Sequence, residues 1–82
     1  MGSLTIDQFI EEMKWFCEYY EASMNKLQSK IWYELLTTYP NPPTKEQLNR
    51  CLMSHLRNDD TPYFPAFGKI NAQIIKIVRQ PQ

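Results

Sequence analysis

Apolar residues along the chain fall into four blocks with helical spacing, separated by breakers. Ile6, Phe9, Ile10, Met13, Phe16, Cys17, Tyr20 and Met24 recur three and four apart, which is one stripe of a 3.6-residue period. In front of them Thr5-x-x-Gln8 has the form of a capping box, in which the hydroxyl accepts from the third helical amide and the glutamine reaches back. The spacing predicts a helix over residues 6–21. The stripe resumes with Leu27, Ile31, Leu35, Leu36 and Tyr39 after a break at Glu21-Ala-Ser-Met-Asn25, where cap-type Ser and Asn stand. A second helix therefore runs to Tyr39 and is stopped by Pro40. Pro43-Thr44-x-x-Gln47 repeats the capping signal, and Leu48, Cys51, Leu52, His55 and Leu56 form a third stripe that ends near Arg57, before Asn58-Asp59-Asp60. Phe67, Ile70, Ile74, Ile77 and Val78 fit a fourth helix better than they fit alternation, although the β-branched run from Ile74 to Val78 also allows a strand. Short helices with one greasy face each can bury those faces only against one another, so the expected class is all-α, a small bundle of about four short helices.

Length and composition narrow the function classes. A chain of 82 residues has room for one core, so residues 1–82 read as a single helical domain, with Met1-Gly2-Ser3 set aside as a cloning scar. An apolar share of 43% and a charged share of 22% are globular proportions, not those of a disordered chain. Nine Lys and Arg balance nine Asp and Glu, which argues against a polyelectrolyte ligand for nucleic acid or anionic membrane. The balance is uneven along the chain. Residues 1–23 carry five acids (Asp7, Glu11, Glu12, Glu18 and Glu21) against Lys14, a net of −4, which leaves +4 for the rest. Two cysteines are too few for a disulfide scaffold, and no apolar run approaches the ~18 residues of a membrane span. The N-terminus also lacks a signal-peptide pattern, so the expected setting is cytoplasmic, with no membrane association.

Catalytic and metal constellations are thin. Cys17, Cys51 and His55 could supply three ligands, but a structural zinc site wants four, and no paired C-x-x-C or H-x₃-H spacing exists. Buried core cysteines and a hydrogen-bonded interfacial histidine are the expectation, with no metal and no cofactor. Ser54 and His55 are adjacent on a helix and diverge by ~100°, so they cannot form a nucleophile–base pair, even with Asp59 and Asp60 close by. Glu11-Glu12 and Asp59-Asp60 read as solvated carboxylates at a helix start and a turn. With Gly2 and Gly68 the only glycines, no phosphate-cradling loop is present. The chain is expected not to be an enzyme.

Two binding faces stand out. Arg50, Ser54 and Arg57 share an outward face of the third helix, with Lys45 and Asn49 nearby, as in a helix-turn-helix DNA reader. The stiff Tyr39-Pro-Asn-Pro-Pro43 connection and the zero net charge argue for weak or no nucleic-acid binding. On the first helix Trp15 falls ~155° from the apolar stripe, beside Glu11, Glu18 and Tyr19. Either another segment such as Tyr63-Phe64-Pro65 folds over it, or it anchors a protein partner of basic surface, since Trp and Tyr dominate interface hot spots. Homodimerisation through the same face is the competing use.

From the second helix onward the order of features is Ile31-Trp32-Tyr33-Glu34-Leu35-Leu36, Tyr39-Pro40, a helix with Leu52, His55 and Leu56, and then Pro62-Tyr63-Phe64-Pro65 leading to Ile70. Over about residues 27–75 this resembles the phage-type loaders and inhibitors of replicative DNA helicases, small all-α proteins in which a Trp-Tyr-x-x-Leu helix and a later Phe-Pro turn recur. Ala66-Phe67-Gly68 stands where that family usually continues with a second proline and a polar stretch. The resemblance implies an adaptor in DNA replication whose partner is a replicative helicase. The alternatives left open are a small helix-turn-helix DNA-binding protein and a phage or mobile-element interaction module. Without the family, Trp32 and Phe64-Pro65 are expected to lock together before the last helix, with Tyr33 and Lys30 facing outward.

Overall fold

The structure, a computed structural model, describes residues 4–38 and 42–79. They form α1 (Ile6–Tyr19), α2 (Lys26–Thr37), α3 (Lys45–Asn58) and α4 (Phe67–Arg79), with no strand among the described residues. The β-branched run of the last block is helical, because its apolar positions make one stripe that buries Ile70 and Ile74. α1 ends at Tyr19, short of the expected residue 21, because the chain reverses at Glu21, and α2 ends at Thr37 with Thr38 as its C-cap, short of the expected Tyr39. Tyr39-Pro40, an element of the resemblance, and the first three residues lie outside the described residues.

Three helices start on capping boxes. Thr5 accepts from the Gln8 amide at 3.2 Å, Asn25 from the Gln28 amide at 2.8 Å and Thr44 from the Gln47 amide at 3.1 Å, and each glutamine returns a bond to its cap's N–H. Leu4 before the first cap and Pro43 before the third are both buried, as are Phe9 and Leu48 four residues past those caps, the arrangement of a hydrophobic staple. Leu4 does more than staple. Its N–H donates to the Pro43 carbonyl at 3.1 Å and its carbonyl accepts from the Tyr33 hydroxyl at 2.9 Å, so it ties the start of α1 to α2 and to the entry of α3.

One core joins the four helices: Phe9, Met13 and Phe16 of α1, Leu36 of α2, Leu48, Cys51 and Leu52 of α3, and Ile70 and Ile74 of α4. The main packing is α3 on α4 and on α1, with α2 laid against α1. Trp32 meets Phe64 at 5.8 Å and Phe67 at 5.1 Å between ring centroids, and Pro65 is buried, which is the lock expected before the last helix.

Two expectations fail, both on which side of a helix is inside. In α1, Ile6 and Ile10 are 42% and 49% exposed while Glu12 is 6% exposed, so Glu12 is not a solvated carboxylate. The inward direction is turned toward α3, because Asn49 donates to Glu12 at 2.8 Å and Lys45 pairs with Glu11 at 2.9 Å. In α2, Leu36 is buried but Leu27, Ile31 and Leu35 are exposed. Tyr33, expected outside, packs on Phe9 at 5.8 Å and spends its hydroxyl on Leu4, whereas Lys30 is exposed as expected. Here the aromatic residues take the inner face and displace the aliphatic stripe, since a Trp or Tyr ring buries more surface than a Leu side chain.

This division has a measurable consequence. Leu52→Ala should lower unfolding stability in urea by about 2–5 kcal/mol, whereas Leu27→Ala and Leu35→Ala should each change it by less than about 0.5 kcal/mol. Similar losses at all three positions would return the α2 stripe to the core.

Candidate functional site: an acid-rimmed aromatic cleft

The end of α1 is built by a tight reversal. Tyr20 and Ala22 donate their N–H groups to the Cys17 carbonyl at 3.1 and 2.9 Å, and Glu21 donates to Glu18 at 3.1 Å. Glu21 holds a φ of 54°, the left-handed region that glycine usually fills at a helix C-terminus. The reversal sets Tyr19, Tyr20 and Glu21 across from the loop that follows α3, where the Asp59 N–H closes that helix on the His55 carbonyl at 3.0 Å. Between them lies a cleft of about 440 Å³ lined by Tyr19, Tyr20, Glu21, Leu56 and residues 59–62.

The lining holds two phenol rings, three carboxylates (Glu21, Asp59 and Asp60) and no basic side chain. The tyrosine rings stand edge to face at 5.1 Å, and Tyr20 continues into the core through Phe16 at 5.2 Å and Phe64 at 5.7 Å. Tyr19 is 64% exposed. Burial pushes the Tyr20 hydroxyl above its ordinary pKa, and the Asp59 carboxylate and Tyr19 push it the same way. Hydrogen bonds from Thr61 hold Asp59 below the ordinary carboxylate value, with Lys69 at 3.7 Å and His55 at 3.9 Å adding to the effect. The lining therefore carries a net negative charge at neutral pH beside two aromatic rings, residue types that suit a guanidinium or ammonium group.

Of the residues singled out on α1, Tyr19 lines this cleft and Glu18 is exposed one position before it. Trp15 is half-buried at the margin of the core: its ring stands edge-on to Phe16 at 5.8 Å and its indole N–H donates to Glu12 at 3.0 Å. The Tyr63-Phe64-Pro65 segment places Phe64 on Phe16, Tyr20 and Trp32, while Tyr63 is 76% exposed. Glu11 is tied to Lys45. The sequence does not join Glu21 to the Asp59-Asp60 pair because 38 and 39 positions separate them. The acid clustered at the end of a helix that ends without glycine was the available signal.

On α3, Arg50 and Arg57 are exposed, but Ser54 is half-buried and accepts from Asn58 at 3.2 Å. The helix's main neighbours are α1 and α4, whereas a helix-turn-helix reader is braced by the helix before it. His55 is 2% exposed and sits between α3 and α4. The Gln73 side-chain amide lies 3.0 Å from its Nδ1, and its Nε2 lies 3.9 Å from Asp59 Oδ2. Cys17 and Cys51 are both free and buried, and no group of three or more His, Cys, Asp or Glu among the described residues is placed to hold a metal ion. No described helix is long and apolar enough to cross a membrane. Comparison of the chain with protein-family models, with curated proteins and with solved structures gives no match.

Two tests address the framework under the cleft. Glu12 Oε1 accepts from both Trp15 and Asn49. A double-mutant cycle of Glu12→Ala and Asn49→Ala should accordingly show a coupling energy of about 0.5–3 kcal/mol, and additivity would mean that the clip does not hold α1 to α3. Burial pushes the Cys51 thiol from 9.0 up to about 12. A raised folded-state pKa leaves its stabilising contribution intact below the unfolded value and removes it as pH climbs toward the folded one. Wild type should thus lose up to about 1.4 kcal/mol per pH unit more than Cys51→Ala above about pH 9, read from urea melts at stepped pH.

Proposed function

We propose that the chain is a non-enzymatic adaptor that binds another protein, with the cleft at the end of α1 receiving a basic side chain of that partner. The observation that carries this reading is the cleft lining: two tyrosine rings and three carboxylates, of which Asp59 is paired with Lys69 while Glu21 and Asp60 belong to no ion pair among the described residues. Such a pocket attracts a cation by field and by ring quadrupole together, and Tyr19 and Glu18 extend the same character onto the exposed surface. The acid-rimmed aromatic surface also repels phosphate, so duplex DNA binds weakly and only at low salt.

The identity of the partner rests on the resemblance. A replicative DNA helicase is the partner to test first, because the Trp-Tyr-x-x-Leu helix and the Phe-Pro turn that carry the likeness pack on each other as Trp32 and Phe64. That contact supports reading the two motifs as one unit.

The experiment is capture of the host's replicative helicase by wild type, Tyr19→Ala and Asp60→Lys, each first shown to be folded by circular dichroism and gel filtration. Wild type should retain the helicase and each variant should bind about tenfold or more weakly, with wild-type binding falling as salt rises. Equal retention by all three would reject the cleft, and no retention by wild type would reject the helicase.

A further inference from the structure

The outward side of α2 carries Leu27, Ile31 and Leu35, spaced four apart, with exposures of 65%, 44% and 46%. Its inward side is apolar as well, through Trp32, Tyr33 and Leu36. α2 thus has apolar residues on two sides, with Lys26, Gln28, Lys30 and Glu34 exposed beside them, and it rests mainly on α1, which leaves the Leu27-Ile31-Leu35 stripe open. A purely structural account is lacking, because these three residues add nothing to the core described above.

The rim of the stripe selects its occupant. Lys30 and Glu34 lie on one flank of it, four residues apart, and both are exposed. Neither belongs to an ion pair among the described residues. We infer that this face of α2 is a homodimer interface in which two copies of the chain pack α2 antiparallel about a two-fold axis level with residue 32. In that register Lys30 of one copy stands level with Glu34 of the other, and a perpendicular two-fold axis keeps the two on the same flank, so both cross-pairs form at once. The stripes also interleave: Leu35 of one copy falls between Leu27 and Ile31 of the other, at steps of ~3 Å along the axis. The arrangement is self-complementary because Lys30 and Glu34 are opposite in sign, while Lys26 on the same row stands level with the uncharged Thr38 of the other copy, and a chain with zero net charge opposes it with no overall repulsion.

Three half-exposed side chains and their rim fall well short of the ~800 Å² per partner of a standard stable interface, so the dimer is weak and concentration-dependent. This inference is independent of the cleft, which shares no residue with the stripe.

The test is sedimentation equilibrium from ~5 µM to ~1 mM at low salt, a range that spans weak dimerisation. Wild type should move from monomer toward dimer. Ile31→Lys should stay monomeric at every concentration, with an unchanged urea midpoint showing that the fold is intact. Lys30→Glu alone and Glu34→Lys alone should each weaken the dimer about tenfold or more, while mixing these two variants, or combining both changes in one chain, should restore it. Tyr19→Ala should dimerise like wild type. A wild type that is monomeric throughout overturns the inference and leaves the stripe to a different partner. Dimers that survive Ile31→Lys, or charge reversals that the swap does not rescue, overturn the interface.

Discussion

The ring of Phe16 is the contact on which the rest of the arrangement depends. It is fully buried and meets Trp15 and Tyr20 of its own helix region, His55 of α3 and Phe64 of the segment before α4, all with centroids between 5.2 and 6.2 Å. Phe64 in turn carries Trp32 of α2. Each contact is tilted or edge-to-face, the geometry that the ring quadrupole favours. In a chain this short, aliphatic side chains alone bury little, and large rings compensate for the poor surface-to-volume ratio. The same cluster fixes Tyr20, and with it the wall of the acidic cleft, so the cleft is an outgrowth of the core.

Much of this was legible from spacing and caps. The boxes at Thr5 and Thr44 open helices where the sequence predicts them, α3 ends within a residue of the expected place, and the α4 stripe is helical despite its β-branched content. Those signals are local, which is why they survive without tertiary information. What was not legible is the direction in which each helix faces. Periodicity locates an apolar arc, but α1 is turned off the centre of its arc by Asn49 and Lys45, which stand more than thirty positions away in sequence. A buried carboxylate such as Glu12 is unreadable for the same reason, since its partners decide whether burial is tolerable. The cleft was half legible: Tyr19 could be picked out on α1, while Asp59 and Asp60 join it only through the reversal at Glu21.

That reversal is itself informative. A glutamate at a φ of 54° sits where glycine would be easier, so the local backbone is held by the Cys17 and Glu18 carbonyls that close the helix. Keeping a charged side chain at this position adds to the negative field of the cleft, which a glycine would not do.

The two surfaces differ in how they would contribute to binding. The cleft is polar and small, suited to one or two side chains, and alone it supports a salt-sensitive, modest affinity. The α2 face is apolar and linear, and in the dimer proposed above it would give weak self-association. Joined, they would act differently: the cleft shares no residue with the α2 stripe, so such a dimer would carry two clefts on one body. Against a partner that is itself a repeated assembly, the second contact then becomes intramolecular, and avidity rises by ~10²–10⁴ without any new contact. Pairing through the open face of α2 would in this way add contact area that the cleft by itself does not supply.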